Sequence, residues 1–234
     1  MTGIIITGIV IAKIYYGNIN ASEDPRVINA KHLYEKYNVL VEKNDYQGVP
    51  KILDSIAGIY SQFPDYRESF EIGVIYNNIG AACLNVALYK AKDDEKQLFL
   101  DSAEKYCKKA VFIYTNWISS FEDLSEENIS SLVNTYYNKD DTCFIDKNIE
   151  RIKKKRVKDI LSSQKETPRR LSVAYSNLGI ICRQNMDYDK AMDFYKKALA
   201  LWDDNYSARN NINILLGRDL EERSALEKLF PKEK

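Results

Sequence analysis

Side chains that do chemistry must be of the right type at the right spacing, and the candidates in this chain are few. The acidic pairs Asp93-Asp94, Asp140-Asp141 and Asp203-Asp204 could in principle work as an acid and a base. Each falls at an expected helix end or loop, where a carboxylate caps free backbone N–H groups, and capping accounts for them better. The single histidine, His32, excludes a His-rich metal site and the usual imidazole catalysis. The chain has no Gly-rich phosphate loop, no GxSxG and no HExxH. The loop from Asp140 to Asp146 lacks the glycine and terminal glutamate of a calcium loop. Cys83, Cys107, Cys143 and Cys182 lie too far apart for a zinc or redox pair. They read as buried small hydrophobes, with disulfide pairing open if the chain is exported. The expectation is a protein that is not an enzyme and holds no cofactor and no metal.

Arg151, Lys153, Lys154, Lys155, Arg156 and Lys158 form a basic run that could meet anionic lipid or nucleic acid. Ile149, Ile152, Val157, Ile160 and Leu161 supply the apolar positions of the same helix, so the basic residues read as its solvated face. No aromatic residue interleaves with them, so bases have no stacking platform. With 34 basic and 34 acidic side chains in 234 residues the net charge is zero, which speaks against a nucleic-acid partner.

The elements that position these residues are helices. Nine Gly and five Pro make about 6% of the chain, about half of ordinary usage. Sandwiches and barrels need more turns than that. Apolar residues recur at spacings of three and four, and no segment alternates long enough for a strand. Nine helices are expected, near 26–42, 47–60, 65–92, 94–120, 125–137, 147–163, 167–184, 187–202 and 207–229. Asp24-Pro25 and Thr167-Pro168 are read as helix starts, since proline is tolerated in a first turn. Short loops between the helices give antiparallel hairpins stacked side by side. The charged Arg218, Asp219, Glu221, Glu222 and Arg223 suit the outer side of a closing helix.

An internal repeat underlies the pattern. Tyr76-Asn-Asn-Ile-Gly-Ala-Ala-Cys83 recurs as Tyr175-Ser-Asn-Leu-Gly-Ile-Ile-Cys182. The second copy continues through Ala191, Tyr195, Ala198 and Leu199; the first rejoins at Ala103 and runs through Cys107 and Ala110. Small residues such as Gly80, Gly179, Ala191 and Ala198 let two helices cross closely, and large ones fill the surrounding space. At Gly179, alanine should then be tolerated far better than leucine.

These residues resemble the tetratricopeptide repeat (TPR). The resemblance is clear over 172–205, interrupted by eleven extra residues in the 73–115 copy, and degenerate around Asn44-Asp45-Tyr46. It implies an all-α fold, a solenoid of stacked hairpins that binds protein or peptide partners on its concave side. Places two, five, six, nine, twelve and thirteen of the unit line that groove in the family. They fall on Val173, Ser176, Asn177, Ile180, Arg183 and Gln184 in the clear unit, and on Val74, Asn77, Asn78, Ala81, Leu84 and Asn85 in the earlier one. On the last helix they give Asn210, Asn211 and Ile214. The expected partner-binding residues are Asn77, Asn78, Asn85, Asn177, Arg183, Gln184, Asn210 and Asn211, because an amide can both donate to and accept from a peptide backbone. The lysines with which some members clamp a terminal carboxylate are absent at place five.

Residues 1–22 stand apart from the repeat domain, 23–234. Ile4 to Ala12 is apolar, with one charge, Lys13, in the first sixteen residues. It reads as a membrane anchor, a secretory signal remnant or a buried helix. The chain is therefore expected to be a scaffold or adaptor, membrane-associated or exported to a bacterial envelope. The alternatives are a ligand-binding accessory protein enclosing a small apolar molecule, and a weak lipid or nucleic-acid binder through the basic helix.

Overall fold

The computed structural model describes residues 22–222. The apolar run Ile4–Ala12 and residues 223–234 lie outside them. The described chain is all helical: α1 Ile28–Glu42, α2 Val49–Tyr60, α3 Phe70–Tyr89, α4 Asp93–Phe121, α5 Glu126–Tyr136, α6 Ile149–Gln184, α7 Tyr188–Leu201 and α8 Tyr206–Leu215. Two single 3-10 turns, Pro25–Val27 and Thr142–Phe144, precede α1 and α6.

Local signals start and stop these helices. Side chains of Ser125, Asn148, Asp187 and Asn205 accept N–H bonds in the first turns of α5, α6, α7 and α8. Three helices end on a residue with positive φ: Asn44 after α1, Met186 after α6 and Gly217 after α8. At each, the next residue donates back to a carbonyl five positions earlier: Asp45 to Leu40 at 2.9 Å, Asp187 to Cys182 at 2.9 Å and Arg218 to Asn213 at 2.8 Å. This double-bonded stop satisfies the last carbonyls of a helix.

Adjacent elements pack as hairpins. α1 pairs with α2, α3 with α4, and the second half of α6 with α7, while α8 packs against α7 and α6. α3 is apolar around most of its surface and long enough to cross a membrane, yet it is the central core helix, covered by α2, α4 and α6. Crossings are tight where the repeat places small residues. Ala103, Ala191 and Ala198 are fully buried, and Gly80 lies against Ala103 and Cys107.

The sequence reading is corrected in three places. The expected sixth and seventh helices are one 36-residue helix, α6, with Pro168 inside it. Buried Thr167 does not begin a new helix; its Oγ donates to the Ser163 carbonyl at 2.6 Å, a turn earlier in the same one. The described part thus has eight α-helices where nine were expected. The expected last helix stops at Leu215, because Gly217 takes φ 64°. Arg218, Asp219, Glu221 and Glu222 therefore do not form a helical cap face.

The eleven extra residues lengthen the end of α3 and the start of α4, beyond Cys83 and before Ala103. The opposite end of α4 and the first half of α6, with α5 and the Thr142–Phe144 turn, bury a separate cluster of Trp117, Ile129, Val133, Tyr137, Phe144 and Ile152.

Candidate partner-binding groove

The inner helices are α3, the second half of α6, and α8. Their asparagines occupy several different environments. Asn77, at place five of α3, is 5% exposed, and its Oδ1 accepts from Asn177 Nδ2 of α6 at 3.2 Å. Ser176, at place five of α6, is 2% exposed and bonds Asn205 Nδ2, just before α8, at 2.9 Å. Asn205 also reaches Ser172 Oγ at 2.8 Å, and Ser172 donates to the Ala198 carbonyl at 2.7 Å. Place five thus faces the next inner helix rather than an open groove. Asn77 and Ser176, expected to line the groove, are instead buried between inner helices; Leu84 is also buried.

Asn211, at place six of α8, is buried and donates to the Ser207 carbonyl of its own helix at 2.7 Å. Asn85 is half-buried and donates to the Ala81 carbonyl at 2.9 Å. These two amides, expected to bind a partner, are each bonded to a carbonyl of their own helix. Asn78 and Asn177 are half-buried. Asn210 is held by the segment after α8: its Nδ2 donates to the Glu221 carbonyl at 3.0 Å, and the Glu221 N–H donates to its Oδ1 at 2.8 Å.

Arg183 and Gln184 are brought together where α6 ends. With Tyr188, Met192, Ile214 and Leu215 they line an open cleft of about 640 Å³. Arg183 Nε is buried without a hydrogen-bond partner. Tyr188 and Ile214 are exposed on its rim. The cleft therefore sets the charged Arg183 and Asp189 beside apolar surface.

A second feature was not legible as a site. Arg156, read as part of the solvated basic face, is 5% exposed. It pairs with Glu71, donates to the Asp65 carbonyl at 3.0 Å, and stacks 4.1 Å from the Tyr66 ring centre. Arg26 lies alongside, bonded to Asp24 at 2.7 Å and Asp65 at 2.9 Å and packed 4.3 Å from the Tyr137 ring. Tyr137 donates to Asp24 at 2.9 Å. This buried knot ties residues 24 and 26 to residues 65–71, 137 and 156. Burial pushes the Asp65 carboxyl up from its ordinary range, and Arg26 and Arg156 offset only part of that. Burial, the largest single influence, raises Glu71, but the Arg156 guanidinium together with hydrogen bonds to the carboxylate holds it below its ordinary value. A cavity of about 220 Å³ adjoins the knot, walled by Trp117, Phe121, Val133, Asp65 and Arg156. Asp65 Oδ1 and Arg156 Nε there have no partner.

Of the remaining basic residues of 151–158, Arg151, Lys154 and Lys158 are exposed, Lys155 is half-buried and paired to Asp159 at 2.7 Å, and Lys153 is largely buried and pairs with Glu150 at 3.6 Å. The cysteines are unpaired; Cys83 and Cys107 are buried as expected, Cys182 is half-buried, and Cys143 is exposed against expectation. Burial raises the Cys83 thiol to about 11 and Cys107 to about 12, so neither serves as a ready nucleophile at neutral pH.

The described chain is thus a helical repeat protein built of stacked hairpins. The family model for the tetratricopeptide repeat matches residues 172–205, and that segment is a tetratricopeptide repeat. No curated protein and no solved structure matches the chain. A tetratricopeptide repeat is a protein–protein interaction module, of a family that is typically non-enzymatic.

Proposed function

We propose that the protein is a non-catalytic scaffold or adaptor that binds a peptide or protein partner along α6 and α8. The observation that carries this is the cleft at the ends of α6 and α8. Arg183 Nε is buried and unspent beside the exposed Tyr188 and Ile214. The half-buried Arg183 guanidinium can pair with a carbonyl or carboxylate that a partner brings into the cleft. Apolar rim surface supplies the area that makes such a contact bind. Asn78 and Asn177 are half-buried amides of the adjoining groove, Asn177 being held by its bond to Asn77. The apolar run Ile4–Ala12 supports attachment to a membrane or bacterial envelope, with residues 1–18 as the anchor.

The test is recovery of partners from the native membrane fraction by three tagged full-length chains. Arg183→Ala with Tyr188→Ala should lose the partner. Charge reversal of Lys153, Lys154 and Lys155 should keep it. The opposite outcome assigns binding to the basic helix and overturns the groove.

A second reading is favoured by one observation, the 220 Å³ cavity with its unpartnered Asp65 Oδ1 and Arg156 Nε. It suits a small amphipathic molecule that offers both a donor and an acceptor. Trp117→Ala should then weaken that ligand and spare the protein partner.

A further inference from the structure

Place five of each inner helix is covered by the next element of the stack. Asn77 of α3 is bonded by Asn177 of α6, and Ser176 of α6 by Asn205 at the start of α8. In α8 the same place is Asn210, with no further repeat helix among the described residues to cover it. The chain covers it instead with its own tail. After Gly217 the backbone turns back along α8, and Glu221 is held by both functions of the Asn210 amide, at 2.8 and 3.0 Å. The Glu221 carboxylate pairs with Arg209 at 2.9 Å, and Arg209 is itself steadied by the Asp203 carbonyl at 2.6 Å. Two bonds to one residue's backbone and one to its acidic side chain recognise an extended peptide, not a helix, whose backbone groups are already spent.

We propose that the Arg209–Asn210 face of α8 is a docking site for an extended acidic peptide, and that residues 218–222 occupy it in cis. An incoming segment of that chemistry must displace the tail. The contacts are exposed and few, so the tail is held by its tether more than by its affinity. Only Leu216 to Leu220 separate Glu221 from the end of α8, and a tether that short gives an effective concentration of about millimolar or more. The proposal rests on the reading of the protein as a peptide binder but extends it to a separate face with its own test.

The full chain carrying Glu221→Pro removes both the N–H that Asn210 accepts and the carboxylate that Arg209 pairs. It leaves the docking face intact. The probe is a fluorescent heptapeptide of the sequence at 216–222, Leu-Gly-Arg-Asp-Leu-Glu-Glu. It should bind the Glu221→Pro chain at least tenfold more tightly than the unaltered one. Adding Asn210→Ala to Glu221→Pro should return binding to the weaker level, and 0.5 M salt should weaken it by screening Arg209. In the unaltered chain the Glu221 amide should be protected from hydrogen exchange, and Asn210→Ala should release it. Equal probe affinity for the two chains, or an unprotected Glu221 amide, overturns the proposal. Protection with no probe binding to Glu221→Pro also overturns it, leaving the tail a mere cap. None of these outcomes depends on the Arg183 cleft, so the partner-recovery experiment can fail or succeed independently.

Discussion

Gly179 lies flat against the ring of Tyr195. A Cβ added to the glycine would sit 2.6 Å from Cδ1 and 2.9 Å from Cζ of that ring. The first copy repeats the relation with different chemistry: a Cβ on Gly80 would meet Cys107 Sγ at 2.5 Å. In both, the eighth place of the inner helix is a glycine because the facing residue of the outer helix fills its missing side chain.

Even alanine is therefore expensive at Gly179, contrary to the tolerance expected from helix propensity. Tyr195 is fully buried and cannot swing away. Gly179→Ala should destabilise by about 1–3 kcal/mol, the usual cost of overpacking, against a propensity gain of about 1 kcal/mol at most. Thermal melts should show Tyr195→Cys, which imports the partner used in the first copy, recovering part of the loss in the double variant. A double variant no better than the sum of the singles would mean that the two side chains do not meet.

The Glu71–Arg156 pair should set part of the acid sensitivity. Glu71 has its carboxyl held below the ordinary value of about 4.5, so the stability it contributes is present above that pH. It is lost as the pH falls through the lowered folded value. Glu71→Gln strands the Arg156 charge. Removing one partner of a buried pair costs about 3–5 kcal/mol, but the Glu71 side chain is 24% exposed, so about 2 kcal/mol is expected. Urea melts at pH 7 and pH 4 should show a large gap between unaltered and variant chains at pH 7 that narrows at pH 4. A gap that does not narrow would show that Glu71 is not the titrating partner.

How much of this was legible depended on whether the signal was local. The 34-residue unit and its small crossings are short-range patterns, and both appear where they were expected. Pro168 misled, because a proline read as a helix start sits inside a helix whose two halves are both held by packing. Gly217 was a readable stop that the apolar pattern beyond it overrode. Arg156 could not be read at all. Its helix neighbours are lysines, and its partners Glu71 and Asp65 lie 85 and 91 residues away. The groove asparagines were placed by register alone, which does not say whether a next helix covers them.

Met186 ends α6 with φ 60° and its side chain is 76% exposed. A branched or long residue in the left-handed region costs about 1–2 kcal/mol, and here no packing repays it. Glycine adopts that φ without strain but loses more freedom on folding, by about 0.5–1 kcal/mol. Met186→Gly should therefore raise stability by about 0.5–1 kcal/mol. Calorimetry should place its midpoint above the unaltered chain, with Met186→Ala giving no such gain. A lower midpoint for the glycine variant would mean that Met186 makes contacts that outweigh its strain.

The start of the repeat domain can be located by deletion. Asp24 is 6% exposed, yet it takes bonds from Arg26, Tyr66 and Tyr137, so it belongs to the buried knot. A chain beginning at Ser22 keeps all three and should stay soluble, with the helicity and melting midpoint of the whole. A chain beginning at Ile28 loses Asp24 and Arg26 together. It leaves Asp65 and the Tyr137 hydroxyl without those partners beneath the α5 cluster. Each buried polar group left unpaired costs about 1–3 kcal/mol, so this shorter chain should lose at least 2 kcal/mol in urea melts. Nuclear magnetic resonance should show the loss first around Tyr137 and Phe144, because Arg26 packs on both rings, at 4.3 and 5.4 Å. If the Ser22 chain precipitates or unfolds while the whole chain stays monomeric in plain buffer, residues 1–21 are part of the core and the anchor proposal falls.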